Sequence, residues 1–219
     1  MIFPALQGKV FGYVNLNLEA QEWISRQAEK TEENALLDPV ICEQMVTSVH
    51  DKYDLDFSYG GWMEDRSFLW RGSYLEEEKF FTHLGVDLNV ASGTEVTCDF
   101  EAEVVKLDND YPEVGGWGTR IILKHAALPL YMIYAHLDPD VAVKVGDKLI
   151  QDQIFAKVGR APYNGNWFPH LHVQTISEEY YKKISEGDKW DELDGYGSAN
   201  EVTLHSKRFR DPMEFISLI

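Results

Sequence analysis

The sequence predicts a mainly β fold: an antiparallel β-sandwich or barrel-like core with a helical N-terminal extension and short C-terminal helices. Three observations predict it. From Phe81 onward, short runs rich in β-branched and aromatic residues are separated by clusters of Gly, Asp, Asn and Pro, at intervals typical of a sandwich or barrel. Between Asn17 and His50, apolar residues recur at helical spacing among many Glu and Gln. The tail after Ser177 mixes a helix, an acidic loop and a final helical turn. With 44% apolar and 13% aromatic residues in 219, the chain can bury a sizeable core. The expected organisation is an N-terminal arm and helical extension over residues 1–51, a principal domain over 52–177, and an appendage over 178–219 packed on the core.

Taken in order, residues 1–15 alternate apolar and Gly-punctuated positions, as a strand or an extended arm does. Leu18, Trp23, Ile24 and Ala28, then Leu36, Leu37, Val40, Met45 and Val49, predict two helices with a break. Asp38-Pro39 supplies the N-cap and first turn of the second. Residues 55–80 are crowded with rings, among them Tyr59, Trp62, Phe68, Trp70 and Tyr74. The charges between those rings have two readings. Either Arg66 or Arg71 holds an anionic substrate group at a cleft, or the segment is a strand and turn with internal ion pairs. Strand-like runs follow at 94–98, 102–107, 119–124 and 130–134. Asn109-Asp110-Tyr111-Pro112 and Gly115-Gly116-Trp117-Gly118 mark a loop bordering the cleft, and Trp117 and Trp167 are further candidates for substrate contact. Residues 178–185 predict a helix.

The net charge of −17 excludes several functions. Binding to a phosphate backbone depends on neutralising phosphates with Lys and Arg, and no basic stripe offsets the acidity. Adhesion to an anionic membrane or wall polymer is disfavoured for the same reason. Cys42 and Cys98 have no partners at metal-ligand spacing and imply no disulfide framework. No basic n-region with an apolar run opens the chain, and no stretch approaches the roughly 20 apolar residues of a membrane span. The chain as given therefore reads as cytoplasmic.

The chemistry is concentrated in three strings: His83-Leu84-Gly85-Val86-Asp87, Tyr134-Ala135-His136-Leu137 and His170-Leu171-His172. Catalytic zinc takes three protein ligands of N or O type and keeps a further position for water. Two histidines and a carboxylate meet that need, and two histidines remain for proton transfer. In His170-x-His172 the side chains share one face of an extended strand. Gly85 allows a bend through which His83 and Asp87 converge. A lone His-x-His is common in proteins without metal; three such strings in one chain are not. A two-His, one-carboxylate set also serves non-haem iron, but His136 and His170 have no obvious use there. His50, His125 and His205 fall outside the strings and read as structural or surface residues.

These strings resemble the lysostaphin-like (LytM-type) zinc metalloendopeptidases, which cleave peptidoglycan cross-bridges. The resemblance runs from about His83 to Gln174 and includes Ala91-Ser92-Gly93-Thr94 and Val143-Lys144-Val145-Gly146-Asp147. It implies a metallopeptidase core with one zinc per chain, ligated by His83, Asp87 and His172, and His136 and His170 as catalytic histidines. It further implies a peptide or muropeptide-like substrate containing Gly or D-Ala. One departure is visible: a Gly/Ser/Thr-rich turn usually precedes His-x-His, and here residues 163–169 read Tyr-Asn-Gly-Asn-Trp-Phe-Pro. Other readings are a non-catalytic regulatory or binding module, a hydrolase of a different intracellular amide, and a carrier or phosphotransfer domain. The last has no use for His-x3-Asp.

Overall fold

Continuous apolar runs such as Leu130–Leu137, buried at every position, need two covered faces, and the chain builds one large sheet with a layer on each side. The computed structural model describes residues 1–27, 33–111 and 115–218. In chain order the elements are β1 (Phe11–Tyr13), α1 (Leu16–Arg26), α2 (Pro39–Tyr53), β2 (Phe57–Gly60), α3 (Leu75–Glu78), β3 (Thr82–His83), β4 (Val86–Asn89) and β5 (Glu95–Thr97). They continue with β6 (Ala102–Asp110), β7 (Gly118–His125), β8 (Leu130–Leu137), β9 (Lys148–Leu149) and β10 (Ile154–Lys157). The last are β11 (Leu171–Ser177), α4 (Glu178–Gly187), β12 (Tyr196–Gly197) and α5 (Val202–Arg208).

Eight strands join in the order β1-β2-β4-β11-β8-β7-β6-β9, and the pairs β10-β5 and β12-β3 stand beside them. Among the described residues the pairings are antiparallel except for β1 with β2. The N-terminal arm is thus an edge strand of the main sheet, and a boundary at residue 51 falls within continuous structure.

Strand alternation sorts the apolar residues into two cores. Leu130, Met132 and Tyr134 of β8 join Val86, Leu88, Ile121, Leu123, Val173 and Phe155 on one face. Tyr131, Ile133 and Ala135 join Ile122 and Ile176 on the other, under Tyr180, Ile184, Leu193 and Phe209 of the C-terminal segment. A third cluster packs α1 and α2, through Leu16, Ala20, Met45 and Val49, against Leu69, Trp70, Trp167 and Phe168. The helical extension therefore supports the loops beside the histidines.

Local chemistry explains the helix ends. Asp38 accepts hydrogen bonds from the Val40 and Ile41 amides at 2.8 and 3.2 Å, with Pro39 in the first turn. Ser177 caps α4 in the same way, through the Tyr180 amide. Helix α1 ends at Arg26, and Ala28 and Pro112 lie outside the described residues. Helix α5 occupies part of the tail read as a loop; it is short, and its Val202 and Leu204 are exposed, so it carries no apolar stripe. Cys42 and Cys98 are buried and free. Among the described residues no helix is long and apolar enough to cross a membrane.

Candidate metal centre

Asp87 on β4 and His172 on β11 stand directly opposite one another in register. Their neighbours Val86, Leu88, Leu171 and Val173 point into the first core, so alternation turns Asp87 and His172 to the other face. His83 arrives from the end of β3, where β12 pairs it with Tyr196. Gly85 lies between the two ligand candidates, but its φ is not left-handed. Its role is the side chain it lacks: a Cβ there would sit 2.6 Å from the His172 ring and from the Val173 carbonyl. The expected bend is replaced by a close approach of backbone to ring. Gly85→Ala must displace His172, and the expected cost is roughly tenfold or more in metal affinity, read by chelator competition. Unchanged affinity would show that the ring has room to move.

His136 reaches the same face by a different device. Ile121 pairs with Tyr134 and Thr119 with Leu137, so Ala135 and His136 together face the single residue Arg120. This is a β-bulge, and at it His136 adopts a left-handed backbone with φ of 63°. Under unbroken alternation His136 would follow Met132 and Tyr134 into the first core. With the bulge Leu137 takes that place, and His136 turns to the cleft.

Three ligand atoms converge. His83 Nε2 lies 3.2 Å and His172 Nδ1 3.0 Å from Asp87 Oδ1, and the two nitrogens are 3.1 Å apart. All three side chains are buried. Their protonation is set from behind. His83 Nδ1 donates to the Gly61 carbonyl at 3.2 Å, which leaves Nε2 a bare lone pair in the neutral ring. Gln174 Nε2 donates to the Asp194 carbonyl at 3.1 Å, which fixes its Oε1 as the acceptor for His172 Nε2–H at 2.9 Å. His172 Nδ1 is then also a lone pair. Two nitrogen lone pairs and a carboxylate oxygen about 3 Å apart repel one another unless a cation joins them. Bonds of about 2.0–2.1 Å to a tetrahedral zinc give ligand separations of roughly 3.3 Å, so the donor set fits that ion.

Electrostatics agree. Burial depresses His83, which stays neutral at physiological pH.

His136 and His170 complete the constellation without joining the triad. Their rings are 4.4 Å apart, and His170 Nε2 is 3.6 Å from Asp87 Oδ1. Each Nδ1 donates to a loop carbonyl at 2.8 Å, Asn164 for His136 and Phe168 for His170. Both Nε2 atoms are thereby left as acceptors. Burial, with the neighbouring histidines, pushes His136 well down, and burial takes His170 to about 4. Two neutral bases thus stand beside three ligand atoms.

Above them lies a cleft of about 340 Å³. Trp117 and Trp167 both line it, with centroids 5.6 Å from His172 and 6.3 Å from His136 respectively. The two arginines are placed elsewhere, which corrects the expectation of a substrate contact. Arg66 has 0% exposure and pairs with Glu64 at 2.9 Å, while its Nη2 lies 3.8 Å from Asp87 Oδ2. It is the counter-charge behind a ligand candidate, as the internal ion-pair reading had it. Arg71 is exposed, its guanidinium 5.2 Å from the Phe68 ring, beside Gly72 and Glu76 and away from the cleft.

Several site residues carry no motif. The turn at 163–169, where the chain departs from the family pattern, supplies both carbonyls that orient His136 and His170. Asn164 is fully buried, and its side chain ties that turn to Trp167. Arg120 is held bidentate by Asp108 on the cleft wall, and Gln174, Asp194 and Tyr196 were likewise unmarked.

Residues 81–184 match the sequence profile of peptidase family M23. The match covers just under half of the chain. The matched segment contains His83, Asp87, His136, His170 and His172 and stops short of the residues from Trp190 onward that line the cleft. A search of curated proteins returns no match. Among solved structures the chain is similar to LytU, with 25% identity over 44% of this chain and 63% of that one, and a TM-score of 0.38. It is similar to the catalytic domain of lysostaphin from Staphylococcus simulans, with 21% identity over 78% and 95% of the two chains and a TM-score of 0.47. The catalytic domain of the prophage-encoded protein EnpA from Enterococcus faecalis shows 24% identity over 44% and 68%, with a TM-score of 0.38. The chain thus spans less than two thirds of the LytU chain it matches.

Proposed function

We propose that this protein is a zinc-dependent metalloendopeptidase that cleaves short Gly- or D-Ala-containing peptides of the peptidoglycan or muropeptide type. The observation that carries the reading is the donor set. His83 Nε2, Asp87 Oδ1 and His172 Nδ1 converge as lone pairs, and two further histidines are held with free Nε2 atoms beside them. His83, Asp87 and His172 would hold the zinc, which would supply a water of pKa lowered towards about 7 and a Lewis acid for the scissile carbonyl.

The chain's own residues do the rest. His136 and His170, neutral through burial, share acceptance of the attacking water's proton at Nε2 and its delivery to the leaving amine. Asp87 carries negative charge into the donor set, and Arg66 behind it balances that charge. Trp117 and Trp167 flank a peptide lying in the cleft and exclude water from it. Retention of all five polar residues favours catalysis over a purely regulatory module.

The test is metal content of the purified protein together with hydrolysis of Gly-Gly and D-Ala-containing peptides, with and without chelator. The expected result is one zinc per chain and cleavage that chelator abolishes and zinc restores. His83→Ala is expected to lose the metal. Zinc content unchanged in that variant sinks the ligand assignment, and bound zinc without turnover on the panel sinks the substrate class.

A further inference from the structure

The cleft wall contributed by the segment from Trp190 to Gly197 does more than border the site. It reaches both histidine ligand candidates from behind by separate routes. On one route the Asp194 carbonyl accepts from Gln174 Nε2 at 3.1 Å, and Gln174 Oε1 accepts from His172 Nε2 at 2.9 Å. On the other, β12 pairs Tyr196 with His83, the Gly195 carbonyl accepts from the Leu84 amide at 2.9 Å, and the Tyr196 ring packs 5.2 Å from the His83 ring. Tyr196 is itself anchored, its hydroxyl accepting from Trp70 Nε1 at 2.6 Å. Gln174 is fully buried and its amide has one usable orientation, because a backbone carbonyl can only accept.

We infer that this segment is a positioning element of the metal centre, with Gln174 as the residue through which it sets the tautomer and orientation of His172. The inference rests on the metal reading above and extends it to a stretch beyond the M23 match. Its physical content is a coupling. If the segment favours the metal-ready arrangement of His172 and His83, bound metal must favour the ordered segment by the same factor. Groups that hold a ligand histidine by its second nitrogen are typically worth roughly 10–100-fold in metal affinity.

Two measurements on the full chain test this, neither of them activity. Zinc affinity is measured by chelator competition for the parent, Gln174→Ala and Gln174→Glu. Hydrogen exchange of residues 190–197 is followed with and without zinc. Gln174→Ala is expected to lose roughly 10–100-fold in zinc affinity, measured at a temperature where the metal-free variant is folded. Gln174→Glu keeps an acceptor for His172 Nε2–H and is expected to recover most of that loss, which a merely space-filling role does not predict. Zinc is expected to slow exchange at residues 190–197 in the parent and less so in Gln174→Ala. Parental affinity in Gln174→Ala, or exchange indifferent to zinc in a parent that binds it, overturns the coupling and leaves the metallopeptidase reading intact. A parent that binds no zinc overturns both.

Discussion

His136→Ala and His170→Ala are each expected to keep the parent's zinc content and to lower kcat/KM by roughly 10²–10⁴-fold, the range for loss of a general acid–base. Neither residue belongs to the convergent triad, so metal content should not follow the loss. Each holds a free Nε2 towards the cleft because its Nδ1 is committed to a loop carbonyl. A full set of kinetic constants separates the roles: a fall in kcat with KM unchanged marks a group acting in the transition state. Loss of zinc from either variant would move that histidine into the ligand set, and undiminished turnover would remove it from the reaction.

Arg66→Met is expected to destabilise the metal-free protein by about 3–5 kcal/mol, the range for breaking a buried ion pair from one side. Arg66, Glu64 and Asp87 are all largely buried, with side-chain exposures of 1%, 9% and 4%. Removing the guanidinium leaves two carboxylates without their counter-charge, a loss that methionine's similar length does not repair. Urea unfolding measures it. Zinc should narrow the gap, because a cation at Asp87 replaces part of the missing charge and ligand binding stabilises the folded state by mass action. Glu64→Gln in the Arg66→Met background should narrow it further. Parental stability in metal-free Arg66→Met would contradict the assignment of Arg66 as an internal counter-charge.

The parts of this site that were legible in the sequence are those in which side-chain type and short spacing carry the chemistry. His83, Asp87, His136, His170 and His172 stand out because few other tasks need those residues in those strings. Asp38-Pro39 announced a helix start because its effect is local. Arg66 and Arg71 were harder, since two arginines among aromatic rings look alike in sequence. Only the path of β2 and the loop after it decides that one is buried behind Asp87 and the other faces solvent. Gln174 and Asn164 were unmarked because their partners are backbone carbonyls, which every residue possesses. The pairing of β12 with β3 is two residues long and spans more than a hundred positions, too little pattern over too great a distance to read.

The bulge at Ala135 and His136 makes the catalytic face depend on a count. Substituting a residue there changes what is presented; removing one changes where. Deleting Ala135 would remove the bulge and with it the left-handed backbone through which His136 Nδ1 meets the Asn164 carbonyl. The stretch from Tyr134 to Leu137 can therefore vary in its letters by small steps, while its length admits no small step at all.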